Sequence, residues 1–110
     1  MTKYKVITLP LAEEDIADQT DYIAFELKSP ETAVNMVRGF RKTINSLNLF
    51  PQSHELDEDG ELAGYGIRKT YYKNYKIYFL IVERERTVYI LRIFHMLVDS
   101  KEKILRIFRA

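Results

Sequence analysis

Hydrophobic and polar residues along the N-terminal half of this chain recur with a helical period. Ile16, Thr20, Ile23 and Leu27 follow one another at spacings of three and four, which predicts an amphipathic helix from about Leu11 to Lys28. A second helix is predicted from about Pro30 to Leu49, with Ser29 as its N-cap and Phe50-Pro51 as its end. Because almost no linker separates the two, they are expected to form an antiparallel helical hairpin.

The C-terminal half has an extended pattern instead. Three runs are rich in Val, Ile, Tyr, Phe and Thr, which suit a pleated, half-buried surface: Tyr65–Tyr71, Tyr75–Val82 and Thr87–His95. Their links are too short for a parallel crossover, so the runs predict a three-stranded antiparallel meander. A further run, Tyr4–Leu9, is expected to pair with this sheet, because a lone strand leaves its backbone polar groups unsatisfied.

The chain ends on a short amphipathic segment. Asp99 and Glu102 have the spacing of a capping box, and Ile104–Phe108 supplies apolar positions for a C-terminal helix. The predicted fold class is therefore α+β: a small antiparallel sheet of the N-terminal strand and the C-terminal meander, packed on an N-terminal α-helical hairpin, with a short C-terminal helix. The other sheet face is expected to stay partly open. A length of 110 residues predicts one domain over 1–110.

Composition excludes several classes of function. The chain has no Cys, which excludes disulfides, zinc fingers and thiol chemistry. No apolar run approaches the length of a membrane span and no signal-peptide pattern is visible, so a cytoplasmic protein without a membrane partner is expected. The acidic connection 51–64 lacks the spacing of an EF-hand and is interpreted as a solvated loop. No metal and no cofactor are implied.

Charge is unevenly distributed along the chain, although the net charge is only +1. Segments 11–28 and 51–64 are acidic, whereas the predicted meander and the C-terminal tail are basic. A polarised surface of this kind can attract a polyanion to one face. The basic residues are interleaved with five of the chain's eight Tyr between Tyr65 and Tyr78, so the sheet is the candidate functional surface.

The chemistry that this sheet suggests is metal-free cleavage of RNA. Such a reaction needs a base, an acid and cations around the phosphate. Arg68, Lys76 and Arg92 on adjacent strands could form a row of cations, and His95 ends the last strand as a group that titrates near neutrality. A base could stack on one of three tyrosines: Tyr72, Tyr75 and Tyr78.

The structural alternatives carry comparable weight. A His that ends a strand is about as often a hydrogen-bonded structural residue as a catalyst, and Tyr is common in strands through propensity alone. Strict alternation places Arg92 and His95 on opposite faces, so they converge only if a bulge intervenes or the strand ends early. The residue pattern alone therefore predicts a basic-faced α+β domain and no definite mechanism.

Several segments together resemble the RelE/ParE superfamily, the toxins of bacterial type II toxin–antitoxin modules, also known as the plasmid stabilisation type. They cover nearly the whole chain in order: AEEDIADQTDYIAFELKSPETA from Ala12, NSLNLFPQ from Asn45, GYGIRKTYYKNYKIYF from Gly64 and VYILRIFHMLVD from Val88. RelE-like members cleave mRNA in the ribosomal A site with dispersed basic and aromatic residues. ParE-like members poison DNA gyrase and lack that set.

The resemblance implies roles for individual residues. Arg68, Lys76 and His95 match positions that RelE-like toxins use, and with Arg92 they form the expected catalytic set. The expected substrate contacts add two lysines to the three tyrosines: Lys69 and Lys73. Many relatives follow the His with arginines, whereas this chain has Met96-Leu97-Val98. The long hairpin is more ParE-like, and the basic, tyrosine-rich sheet is more RelE-like.

Three functions follow from the resemblance. The favoured one is growth arrest by ribosome-dependent mRNA cleavage, with the ribosome and mRNA as partners. The alternatives are a gyrase poison without catalysis and a decayed toxin that only binds its antitoxin. In every case the resemblance implies a cognate antitoxin whose C-terminal segment folds around the toxin. The expected docking surfaces are the basic sheet face and the apolar side of Ile104–Phe108.

Overall fold

The computed structural model describes residues 3–109 and contains the predicted elements in the predicted order. Their bounds are β1 Lys5–Thr8, α1 Pro10–Asp21, a π-helical turn Tyr22–Glu26, α2 Pro30–Asn45, α3 Gly60–Gly64, β2 Ile67–Tyr72, β3 Tyr75–Val82, β4 Thr87–His95 and α4 Lys101–Leu105. The α+β architecture and the helical hairpin are confirmed. Within 3–109 no helix is long and apolar enough to cross a bilayer.

The four strands form one sheet in the order β1-β4-β3-β2. The meander β2-β3-β4 is antiparallel as predicted, but β1 pairs with β4 in parallel, with Val6 opposite Val88. The hairpin lies between β1 and the meander in the chain, and its length permits this crossover. The sheet is therefore mixed at one edge.

Both sheet faces are covered, and each has its own core. On the hairpin face, Phe79, Ile90 and Ile93 pack against Phe40 and Ile44 of α2. The opposite face was expected to stay partly open, but there the strand residues Tyr78, Leu91 and Phe94 pack against the C-terminal segment, and two apolar residues of that segment are fully buried: Ile104 and Leu105. Ile104 and Leu105 are thus core residues and are not available as the docking surface that was expected, whereas Ile107 stays 37% exposed.

Two local predictions are corrected at the helix ends. The capping box of Asp99 and Glu102 is not formed: Ser100 is the N-cap of α4, and α4 ends at Leu105. The acidic connection is only partly a loop, since it contains α3, whose first amides bond to the carboxylate of Asp59. At α3 the cap is the side chain of Asp59, whereas at α4 the hydroxyl of Ser100 bonds to Lys76 and Tyr78 of β3 and not to the helix amides.

Candidate functional site

The register of the sheet decides which of the candidate cations share a surface. Leu91 has no partner on β3, so β4 carries a bulge between Ile90 and Arg92. In the resulting register Arg68 is opposite Phe79 and Lys76 is opposite Phe94, while Arg92 is opposite Tyr78. Phe79 belongs to the core of the hairpin face, and Tyr78 and Phe94 belong to the core of the opposite face. Arg68 therefore lies on the other face from Lys76 and Arg92, and the expected row of three cations is not formed. The bulge precedes both Arg92 and His95, so it does not bring them to one face either.

Arg92 serves to attach α1 to the sheet. The pairing of β1 with β4 ends at Ile90. Beyond it, the edge of β4 that β1 leaves unpaired is bonded to Asp15 of α1. The Arg92 guanidinium donates to both carboxylate oxygens of Asp15 at 2.8 and 2.9 Å, and the amide of Ile93 donates to the same carboxylate at 2.9 Å. These contacts raise the pKa of Arg92 through its hydrogen bond to Asp15, so the guanidinium stays charged.

Lys76 and Tyr78 hold the C-terminal segment. The ammonium of Lys76 donates to the carbonyl of Val98 at 2.9 Å and to the hydroxyl of Ser100 at 3.1 Å. The hydroxyls of Tyr78 and Ser100 are 2.7 Å apart. Tyr78 is only 3% exposed, so its ring offers no face to a base while this segment stays in place.

Arg68 and Lys69 bond to the connection that precedes them. Arg68 Nη1 donates to the carbonyl of His54 at 2.5 Å, and Lys69 Nζ lies 3.2 and 2.8 Å from the carboxylates of Asp57 and Glu58. Partial burial by itself lowers the pKa of Lys69, but the hydrogen bonds to Glu58 and Asp57 outweigh it and raise that pKa well above its ordinary value. Beside them is a cavity of about 370 Å³ lined by Ser53, His54, Glu55, Leu56, Glu58, Lys69, Thr70 and Tyr71.

The remaining candidates meet at one corner of the hairpin face. We call Phe40, Tyr72, Tyr75 and His95 the aromatic corner. The Phe40 ring lies 4.8 Å from that of Tyr72 and 5.2 Å from that of Tyr75, and Tyr75 is in edge contact with His95 at 5.6 Å. Burial raises the pKa of Tyr75, and the nearby Tyr72 adds to this effect.

The corner is open towards the β2–β3 turn. Lys73 is exposed there, with its ammonium 5.6 Å from the centre of the Tyr72 ring. The amide of Leu97 donates to Nδ1 of His95 at 3.2 Å, so Nε2 carries the proton in the neutral ring. Of the sequence-predicted site, the structure thus brings together Tyr72, Lys73, Tyr75 and His95.

Sequence reasoning missed two features elsewhere in the molecule. His54 lies edge-on to Phe79 at 5.7 Å, and burial together with the charge of Arg68 lowers its pKa. The second is a set of exposed apolar side chains at the hairpin bend, which we call the bend patch: Tyr22, Phe25, Leu27 and Val34. The π-helical turn changes the helical phase, so Leu27 leaves the apolar stripe on which it was predicted.

Comparison with known families now assigns the chain. The model of the ParE toxin of the type II toxin–antitoxin system parDE matches residues 6–99. The chain belongs to this family. It is a toxin of the ParE/RelE type, as the sequence resemblance indicated. Comparison with curated protein sequences finds no match.

Solved structures support the same fold for this ParE-family toxin. A structure titled as the chromosomal ParDE system of P. aeruginosa aligns with a TM-score of 0.70 at 18% identity, covering 84% of this chain and 96% of that one. The RelBE2 toxin–antitoxin complex of Mycobacterium tuberculosis aligns with a TM-score of 0.59 at 24% identity, covering 86% and 93%. Both of these structures thus share the architecture of this chain.

Proposed function

We propose that this toxin arrests growth by binding DNA gyrase and trapping cleaved DNA, with no bond-breaking step of its own. The observation that carries the proposal is the separation of the candidate catalytic cations. Arg92 bonds to α1, Lys76 bonds to the C-terminal segment, and Arg68 bonds to the connection before β2. Cleavage of RNA without a metal needs such groups around one phosphate. The match to the ParE family model supports the same choice.

An antitoxin partner is part of this proposal. Both structural neighbours belong to toxin–antitoxin systems. The bend patch supports a protein partner here, because Phe25 is 74% exposed and Tyr22 and Leu27 are 57% and 58% exposed. Large apolar side chains exposed within one short segment are typical of interaction sites. We propose that an antitoxin segment folds on binding and covers the bend patch.

The decisive experiment compares purified gyrase with translating ribosomes. The protein is expected to block supercoiling of relaxed plasmid and to leave cleaved DNA trapped on gyrase. His95→Ala is expected to retain this inhibition, since no proton transfer is involved. Growth arrest in cells together with gyrase that stays active in the assay would reject the proposal.

Ribosome-dependent mRNA cleavage is a second candidate, and the aromatic corner favours it. Tyr75 lies beside His95, and the exposed ammonium of Lys73 lies over the ring of Tyr72. In this case His95→Ala and Lys73→Ala should abolish cleavage that is mapped on translating ribosomes. Arg84→Ala, in the exposed β3–β4 turn, is the control and should leave cleavage unchanged. Intact mRNA with the unmodified protein excludes this candidate.

A further inference from the structure

A second cavity lies on the opposite side of the sheet from the aromatic corner. It has a volume of about 230 Å³ and is formed where the start of α1, strand β4 and the C-terminal segment meet. The cavity is lined by Leu11, Arg92, Lys103, Arg106 and Ile107. Three cations and two apolar side chains therefore line one small cavity.

The charges of this cavity are only partly balanced. Arg92 is paired with Asp15. For Lys103 and Arg106, no ion pair or side-chain hydrogen bond is found within the described chain. The other two cations of the same segment are paired: Lys101 with Asp59 at 2.9 Å, and Arg109 with Glu61 at 2.5 Å. The fold thus neutralises Lys101 and Arg109 and leaves two positive charges at the cavity.

Repulsion between the charges of Lys103 and Arg106 favours binding of an anion in the cavity. Lys103 and Arg106 are three residues apart at the end of α4, a spacing at which like charges on a helix repel one another. Both side chains are exposed. A bound carboxylate between them relieves the repulsion and forms charge-assisted hydrogen bonds.

The apolar part of the lining restricts the class of anion. Leu11 is 46% exposed and Ile107 is 37% exposed, so a ligand with an apolar group beside its charge removes this surface from water. None of the lining residues is aromatic. Single-stranded nucleic acid is held by base stacking on aromatic rings along a continuous basic groove, and this cavity provides neither.

We propose that the cavity binds an acidic peptide segment of a partner protein. A carboxylate of that segment lies between Lys103 and Arg106, and a neighbouring aliphatic side chain contacts Leu11 and Ile107. The proposal goes beyond gyrase poisoning, because peptide binding at this place can be measured whether or not gyrase is inhibited.

The test uses the full chain and a fluorescein-labelled peptide made of Glu and Leu, with blocked termini, followed by fluorescence anisotropy. The wild-type protein is expected to bind it, more weakly as salt is added. Lys103→Glu combined with Arg106→Glu is expected to weaken binding about tenfold. Lys42→Glu, an exposed charge reversal on α2, should change the affinity less than about twofold. Circular dichroism verifies that all variants are folded.

Each alternative has its own result. Equal binding by a peptide with Gln in place of Glu overturns the proposal, and so does an equal loss in Lys42→Glu and the double variant. Preferential displacement of the peptide by oligodeoxythymidylate would assign the cavity to nucleic acid instead. Displacement by inorganic phosphate alone at matched ionic strength would reduce it to a small-anion site. If the double variant loses peptide binding but still inhibits gyrase, the peptide site is separate from gyrase poisoning and the proposed function is unaffected.

Discussion

At the scale of single residues, Asp15 carries more of the structure than its position in an acidic helix suggests. Its carboxylate accepts hydrogen bonds from Arg92 and from the Ile93 amide, and it is 8% exposed. Asp15→Ala leaves the guanidinium and the amide without this acceptor. We expect the free energy of unfolding to fall by about 2–3 kcal/mol, below the full value for a buried pair because Arg92 retains some exposure.

Urea denaturation of Asp15→Ala checks this expectation. Asp18→Ala, an exposed acid on the same helix, is the control and should stay within about 0.5 kcal/mol of the wild type. Combining Asp15→Ala with Arg92→Ala should cost less than the sum of the two single changes. Equal costs for Asp15→Ala and Asp18→Ala would contradict the edge-capping role.

Gly39 is required by the close approach of α2 to the aromatic corner. A Cβ atom at this position would collide with the ring of Tyr72. Gly39→Ala should therefore destabilise the protein by about 1–3 kcal/mol through overpacking, despite the higher helix propensity of Ala. Thermal unfolding measures the effect, with Gly64→Ala as the control, because a Cβ there meets nothing within 4 Å. In a Tyr72→Ala background the cost of Gly39→Ala should disappear.

At the scale of elements, the C-terminal segment is an integral layer of the fold. Leu105 is fully buried against the sheet, whereas Ile107 two residues later is 37% exposed. Leu105→Ala is expected to lower the free energy of unfolding by about 2–5 kcal/mol, because it leaves a cavity in the second core. Ile107→Ala should cost less than about 1 kcal/mol. Chemical denaturation measures the free energy of unfolding of both variants. A similar loss in the two would mean that this segment is not packed as described.

Element boundaries were predictable where the apolar residues recur with a regular period over a long segment. The hairpin and the three meander strands lie within a few residues of their predicted ranges, because amphipathic patterning reflects burial directly. The capping box, α3 and the parallel pairing of β1 were not predicted. For the capping box and the pairing of β1, the decisive hydrogen bonds come from residues remote in sequence, such as Lys76 and Tyr78 at Ser100. For α3 they come from the nearby carboxylate of Asp59.

At the scale of the whole molecule, stability should depend on pH through His54. Burial and the charge of Arg68 lower its pKa from the ordinary value of 6.5, so the folded state binds its proton less readily than the unfolded chain. The contribution of His54 to the free energy of unfolding is therefore fully present above pH 6.5 and is lost as the pH falls below it. The free energy of unfolding, followed by urea denaturation between neutral and mildly acidic pH, should decrease less in His54→Gln. An identical pH dependence in both proteins would contradict this origin.

By itself, the sequence determined the class and order of the elements, since hydrophobic periodicity specifies which face of each helix and strand is buried. Family resemblance added the toxin assignment. The partners of the charges were decided only in three dimensions. The acids of 51–64 and the cations of the sheet and tail form separate blocks in the sequence, yet Asp57 meets Lys69 and Glu61 meets Arg109 in the fold. A pattern along the chain records which side chains are charged, but a bulge and a strand register decide which of them meet.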